Sequence, residues 1–96
     1  MEYISICEII EATGGELVVQ GECALYNNVC IDTRAIKDKD IFIAIKGENF
    51  NANDFAIEAS NKGASICIID EIKFGKSEFN KKTSVIKVVD TKKALL

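Results

Sequence analysis

The chain has no histidine, no tryptophan and no proline among its 96 residues, and only 6 glycines. Without histidine it can form neither a histidine-based catalytic triad nor the common zinc sites that use histidine. Its cysteines include no Cys-x-x-Cys pair, which argues against a cysteine-rich zinc site and a disulfide framework. Two of them lie in the apolar runs "VCI" and "ICII", and this setting predicts that Cys30 and Cys67 are small buried hydrophobic residues.

Long apolar runs and an excess of basic residues are also missing. No run approaches the roughly 20 apolar residues of a membrane-spanning helix, and the N-terminal "MEYISICEII" carries acids where a signal peptide carries bases. The formal net charge of -3 argues against a general nucleic-acid binder. With 48% apolar and 28% charged residues, the composition is that of a globular domain. We therefore expect a cytoplasmic protein with no membrane or nucleic-acid partner, which still leaves room for a local anion site.

The apolar pattern that is present predicts an α/β fold, with a small mixed sheet, a βαβ unit and flanking helices. A helix in "YISICEIIEATGG" should end at the two glycines, and "ELVVQGECAL" suggests a hairpin around Gln20 and Gly21. The predicted strands are "VCI", "DIFIAI", "SICIID" and "VIKVVD", and a second helix over 54–62 should end before Gly63. The segment "EIKFGKSEFNKKTS" is expected to be a solvated surface loop. The final "TKKALL" is typical of a helix that has only begun, so we expect the chain to be part of a longer protein.

The polar stretch "IKGENFNANDF" follows the strand "DIFIAI" directly. Parallel strands of a βαβ unit bring their carboxyl ends to one edge, and ligands of open α/β sheets bind at that edge. If "VCI" is parallel to "DIFIAI", then Asp32, Thr33 and Arg34 emerge at the same edge. A hydroxyl, a guanidinium and a helix N-terminus favour phosphate there, while the three asparagines of the stretch offer the donors and acceptors that read a base or sugar.

Each of these residues also has a purely local explanation. Asn51, Asn53 and Asp54 could cap the helix or form a turn. Arg34 could be an exposed charge, or could pair with Asp32 or Asp40, and Phe50 could be a core residue under a loop. The phosphate-loop spacing G-x-x-x-x-G-K-[ST] is absent from the chain, so Lys46 and Gly47 do not form one.

As a composite, "IDTRAIKDKDIFIAIKGENFNANDFAIEASNKGAS" resembles the N-terminal domain of the Mur ligases, ATP-dependent enzymes that build the peptide stem of bacterial cell-wall precursors. The family pattern is Asp-Ser/Thr-Arg, a spacer, Gly-Asp-Leu-Phe-Val-Ala-Leu, Lys-Gly-Glu, Phe-Asp-Gly/Ala-His-Asp-Phe, a helix and Gly-Ala. The chain departs from it at Lys39, usually Gly, at Asn51, usually Asp, and at Asn53, usually His. "ATGGEL" and the Lys-Gly-Glu loop are more similar to the ligases that add D-alanyl-D-alanine than to those that add the third amino acid.

The resemblance implies that residues 1–96 form the domain that holds the UDP end of a UDP-N-acetylmuramoyl peptide. ATP and magnesium would belong to a central domain, and the incoming amino acid or dipeptide to a C-terminal domain, both outside this chain. Thr33 would then face the diphosphate, with Arg34 supporting the turn. The implied UDP-binding set also includes Lys46, Gly47, Glu48, Asn49, Phe50 and Asn53. No catalytic residue, metal ligand or cofactor is expected in this domain, and we expect the chain by itself to lack ligase and ATPase activity.

Two other classes of function remain open from the sequence. One is a free-standing, non-enzymatic module that binds a nucleotide sugar or phosphate. The other is a structural or protein-interaction domain whose polar loop binds nothing.

Overall fold

The computed structural model describes residues 6–21, 28–45, 55–72, 75 and 78–91. Along this part of the chain the elements are α1 (Ile6–Thr13), β1 (Glu16–Val19), β2 (Val29–Cys30), a 3-10 turn (Thr33–Ala35), β3 (Ile41–Ile43), α2 (Ala56–Asn61), β4 (Ile66–Ile69) and β5 (Ser84–Lys87). The five strands form one sheet in the order β1-β5-β4-β3-β2. Strands β2 to β5 are parallel neighbours, and β1 is antiparallel to β5. The predicted mixed α/β sheet with a βαβ unit is confirmed.

Both faces of the sheet are covered. Alternate residues of the central strands point to opposite faces, and each face carries its own buried core. On one face the core consists of Phe42, Ala44, Ala56, Ala59, Ala64, Cys67, Ile69, Phe79 and Val85. On the other face it consists of Ile9, Ile41, Ile43, Ile66, Ile68, Ile86 and Val88. Helix α2 therefore packs on the first face and α1 on the second. This explains why "DIFIAI" and "SICIID" are continuously apolar rather than alternating.

Helix α2 packs closely on the sheet through small side chains. Its buried residues Ala56, Ala59 and Ser60 recur at the spacing of one helical face. Ser60 Oγ accepts a hydrogen bond from Asn80 N at 2.8 Å and donates one to Thr83 Oγ1 at 2.9 Å. Thr83 Oγ1 in turn donates to Ala64 O at 2.7 Å. The segment before β5 is thus bonded to α2, and the prediction of a wholly solvated loop is wrong at Phe79 and Thr83, which are buried.

Most predicted boundaries agree with the structure to within a few residues. Helix α1 ends at Thr13, and Gly14 follows with φ of 67°, a conformation that glycine adopts readily. Helix α2 is shorter than the predicted 54–62, and Gly63 follows it with φ of 109°. The second arm of the predicted hairpin lies outside the described residues, so the hairpin stays a prediction, and β1 pairs with β5. Within the described residues, no helix is long and apolar enough to cross a membrane.

The two cysteines in apolar runs differ in burial. Cys67 is fully buried, and burial raises the pKa of its thiol to about 12. Cys30 is only half-buried, and its Sγ lies 3.0 Å from Asp32 O. The prediction of a buried residue is therefore confirmed for Cys67 and wrong for Cys30, which lies in β2 at the edge of the described sheet.

Lys39 has φ of 68°, a conformation that costs a non-glycine residue about 1 to 2 kcal/mol. Hydrogen bonds hold it there, from Lys39 N to Gly63 O at 2.8 Å and from Ser65 Oγ to Lys39 O at 2.8 Å. We expect Lys39→Gly to raise the free energy of unfolding by about 0.5 to 1 kcal/mol, the relief of strain less the greater freedom of glycine in the unfolded chain. Urea unfolding measures this change. Lys37→Gly is the control at a residue without positive φ, and a loss of stability in both variants would contradict the expectation.

Candidate functional site

The turn that follows β2 is built around the carboxylate of Asp32. Asp32 is the N-cap of the 3-10 turn, and its Oδ1 accepts hydrogen bonds from Arg34 N at 2.9 Å and Arg34 Nε at 3.1 Å. Its Oδ2 accepts a bond from Arg34 Nη2 at 2.9 Å. The hydrogen bonds from the Arg34 side chain and backbone hold the pKa of the Asp32 carboxyl below its usual value. The carboxylate is therefore ionised at neutral pH and closes the turn on Arg34.

Arg34 is the only arginine of the chain, and its side chain is 88% exposed. Of the alternatives that the sequence left open, the pair with Asp32 is the one that forms. Asp40 is buried and accepts hydrogen bonds from Asn28 N and Lys37 N instead. Because a guanidinium carries five N–H donors, Arg34 can pair with Asp32 and still present donors to a phosphate.

Thr33 lies between these two residues and is half-buried. Its carbonyl oxygen accepts a hydrogen bond from Lys62 Nζ at 2.9 Å, which joins the turn to the end of α2. Its hydroxyl has no hydrogen-bond partner among the described residues.

A cleft of about 660 Å³ opens beside the turn, a volume within the usual range for small-molecule sites. Its described lining residues are Ile31, Asp32, Thr33, Arg34, Phe42, Phe55 and Glu58. Phe42 lies beneath the cleft in β3 and is fully buried, whereas Phe55 is 36% exposed at the start of α2. The cleft thus combines aromatic surface with a hydroxyl and a guanidinium at the carboxyl edge of parallel strands.

The structure brings together two of the predicted binding residues, Thr33 and Arg34, at the edge that the βαβ argument indicated. The assumption that β2 is parallel to β3 is confirmed, with Val29 opposite Ile41 and Cys30 opposite Phe42. The other predicted residues lie outside the described part of the chain, and their roles stay predictions: Lys46, Gly47, Glu48, Asn49, Phe50 and Asn53.

Sequence reasoning missed the contribution of α2 to this region. Phe55 and Glu58 line the cleft, and Lys62 bonds to the turn. The three are spaced by three and four residues, so they lie close to one another on the helical segment, beside the face that carries the buried alanines. A helical projection of "FAIEASNK" would have placed these three residues together.

A smaller pocket of about 350 Å³ opens at the opposite, amino edge of the sheet. The hydroxyls of Ser60 and Thr83 line it, and they bond to each other and to the neighbouring backbone. Because these hydroxyls already have hydrogen-bond partners within the protein, a role in stabilising the fold accounts for them without a ligand.

The chain does not fit ATP and magnesium. No phosphate-loop motif occurs anywhere in the sequence, and no group of three or more metal-ligating side chains occurs in the part of the chain that the structure describes. The described lining of the cleft offers the exposed Arg34 guanidinium and the Thr33 hydroxyl, together with the carboxylates of Asp32 and Glu58.

The fold and the cleft define an α/β domain with a candidate small-molecule site at the carboxyl edge of a mostly parallel sheet. The family model described as "Mur ligase family, catalytic domain" matches residues 25–95. The chain belongs to the Mur ligase family.

The family assignment is accompanied by similarity to individual curated proteins. Over 69 residues the chain is 33% identical to the UDP-N-acetylmuramoyl-tripeptide--D-alanyl-D-alanine ligase of Escherichia coli K12, which covers 72% of this chain and 15% of that protein. Over 43 residues it is 51% identical to the UDP-N-acetylmuramoyl-L-alanyl-D-glutamate--2,6-diaminopimelate ligase of Rickettsia conorii, which covers 45% of this chain and 9% of that protein. The chain therefore spans a small part of the length of these relatives.

The fold itself is that of a solved ligase. A crystal structure of MurF from Acinetobacter baumannii aligns with a TM-score of 0.80 over 99% of this chain and 20% of that one, at 24% identity. At this identity the alignment shows the shared fold, which confirms the fold that the sequence resemblance implied.

Proposed function

We propose that residues 1–96 are the UDP-docking domain of a MurF-type ligase of peptidoglycan precursor synthesis, which adds D-alanyl-D-alanine to a UDP-N-acetylmuramoyl tripeptide. The observation that carries the proposal is the turn of Asp32, Thr33 and Arg34, held beside an aromatic-walled cleft at the carboxyl edge of the sheet. The fold shared with MurF and the names of the relatives supply the substrate class. The protein would act in the cytoplasm.

In this proposal the chain binds and orients substrate and carries out no chemical step. The Thr33 hydroxyl donates to a diphosphate oxygen, and the outward N–H groups of Arg34 bind the same charge. In the segment that follows β3, Gly47, Glu48, Asn49 and Phe50 line the uracil, and Lys46 and Asn53 belong to the same UDP-binding set. In this proposal a central domain of a longer protein holds ATP and magnesium, and a C-terminal domain brings the incoming dipeptide.

A MurE-type ligase is the second candidate, because the diaminopimelate-adding enzyme of Rickettsia conorii shares 51% identity over its matched segment. Both candidates use a UDP-N-acetylmuramoyl peptide, so the docking role is common to them. They differ in the group that is added, and a ligation assay of the full-length protein with D-alanyl-D-alanine or diaminopimelate separates them.

Titration of the 96-residue chain with UDP tests the docking role. We expect the NMR amide signals of Thr33 and Arg34 to move together with those of residues 46–50, because one ligand would contact both segments. The dissociation constant should be roughly millimolar, or about -4 kcal/mol, since the isolated domain lacks the surfaces that would enclose the rest of the substrate. Uridine should bind more weakly, because it brings no phosphate to Arg34.

The signals of Lys81 and Lys82, at the opposite edge of the sheet, are the internal control and should stay in place. If UDP at about ten times the expected dissociation constant moves neither segment in a folded sample, the docking proposal is wrong. The stretch "IKGENFNANDF" would then be a connector, and the alternative of a structural or protein-interaction domain would apply.

A further inference from the structure

Lys62 stands at the end of α2 and reaches the turn that follows β2. Its ammonium group donates a hydrogen bond of 2.9 Å to the carbonyl oxygen of Thr33, a residue 29 positions away in the sequence. Neither the sequence pattern nor the proposed docking site includes Lys62. Lys62 nevertheless contacts the backbone of Thr33, and the proposed function assigns the Thr33 hydroxyl to the diphosphate.

The residues of the turn itself lie at the surface, and Ile36, directly after it, packs against the core that α2 covers. None of its residues is buried, and the preceding strand β2 has only two residues, each paired on one side. The bonds between Asp32 and Arg34 join residues two positions apart. Such local bonds determine the shape of the turn, but they do not determine where the turn lies relative to α2.

The position of α2 matters because this helix carries the other described wall of the cleft. Phe55 and Glu58 line the cleft together with the residues of the turn, and Lys62 is spaced four residues from Glu58. The bond from Lys62 to Thr33 therefore links the turn to the helix that carries this wall. In addition, a cation at this point offsets part of the negative charge of Asp32 and Glu58, which an anionic ligand must approach.

We infer that Lys62 is a positioning residue of the diphosphate site: it holds the Thr33 backbone against α2, so that the Thr33 hydroxyl and the Arg34 guanidinium face the cleft before the ligand arrives. The inference rests on the proposed docking function. The benefit is preorganisation, because a turn that is already in place loses less conformational freedom on binding.

The experiment compares Lys62→Met with Lys62→Arg in the 96-residue chain. Methionine keeps the unbranched apolar stem and removes the donor and the charge, whereas arginine keeps both. Lys81→Met is the matched control, since Lys81 is also an exposed lysine and lies in the turn before β5. The free proteins are compared by the amide signals of Thr33 and Arg34, and their affinities for UDP are measured by titration.

We expect Lys62→Met to shift the amide signals of Thr33 and Arg34 in the free protein and to weaken UDP binding about three- to ten-fold, the range between an exposed ion pair and a hydrogen bond to a charged group. Lys62→Arg should restore affinity to within about two-fold of the wild type, because arginine can donate to the same carbonyl. Lys81→Met should leave both the signals and the affinity unchanged. If Lys62→Met binds UDP more weakly and Lys62→Arg restores the affinity, the positioning role is supported.

Two results would overturn the inference in distinguishable ways. If the wild type binds UDP and Lys62→Met binds it equally well, the positioning role is wrong and the docking function stands. If the wild type itself does not bind UDP, both are wrong. A loss of affinity in Lys62→Met without any change in the free-protein signals of the turn would also refute positioning, since the lysine would then act directly on the ligand.

Discussion

Replacing Phe42 by alanine is expected to lower the free energy of unfolding by about 3 to 5 kcal/mol, the cost of deleting a buried aromatic side chain. Phe42 is fully buried in β3, between Cys30 of β2 and Cys67 of β4 in the register of the sheet. It belongs to the core that α2 covers and also lies beneath the cleft. Since domains of this kind are stable by only about 5 to 15 kcal/mol, one substitution should remove a large part of the total.

Urea unfolding followed by circular dichroism measures this loss. Phe42→Leu keeps most of the volume and should cost less, so it remains measurable if the alanine variant does not fold. Phe55→Ala is the matched control, because it removes the same side chain from a position that is 36% exposed. Equal losses in Phe42→Ala and Phe55→Ala would contradict the assignment of Phe42 to the core.

Replacing Arg34 by alanine is expected to weaken UDP binding by about 1 to 3 kcal/mol, the scale for losing a hydrogen bond to a charged group. The substitution removes the guanidinium that would meet the phosphate, together with the side-chain partner of Asp32. Stability should change little, because the Arg34 side chain is 88% exposed. A large effect on binding with a small effect on folding is therefore the expected signature.

Titration with UDP at two salt concentrations tests this expectation. Salt should weaken binding to the wild type more than binding to Arg34→Ala, since part of the wild-type affinity is a screened charge interaction. Arg34→Lys keeps the charge but not the two-point geometry with Asp32. Its affinity for UDP should therefore lie between those of the wild type and Arg34→Ala. Thr33→Ala should weaken UDP binding by a comparable amount, because it removes the Thr33 hydroxyl. The expectation fails if Arg34→Ala binds UDP no more weakly than Lys81→Ala, which removes one positive charge at the opposite edge.

The salt-bridge partner of Arg34 could not be predicted from the spacing of the acidic residues in the sequence. The sequence offered Arg34 both Asp32 and Asp40 as partners, at two and six positions away. In the structure Asp40 is buried and bonded to backbone amides, which leaves Asp32 for the arginine. The choice followed from burial, which depends on how β3 enters the sheet.

By itself, the sequence predicted most helices and strands of this protein and the edge of the sheet at which the candidate site lies. Continuous apolar runs predicted β3 and β4, glycines marked the ends of α1 and α2, and a βαβ unit requires its loop to leave the carboxyl end of a strand. These features are local or follow from chain connectivity, so they can be read without coordinates. The composite motif over residues 32–64 likewise identified the family.

Only the tertiary structure decided which distant segments meet. It paired β1 with β5, buried Phe79 and Thr83 in a segment that looked solvated, and placed Lys62 on the carbonyl of Thr33. The physical reason is that such contacts depend on the order of strands in the sheet and on which helical face turns toward the core. Local periodicity does not encode that order, because the same pattern of apolar residues is compatible with several strand orders.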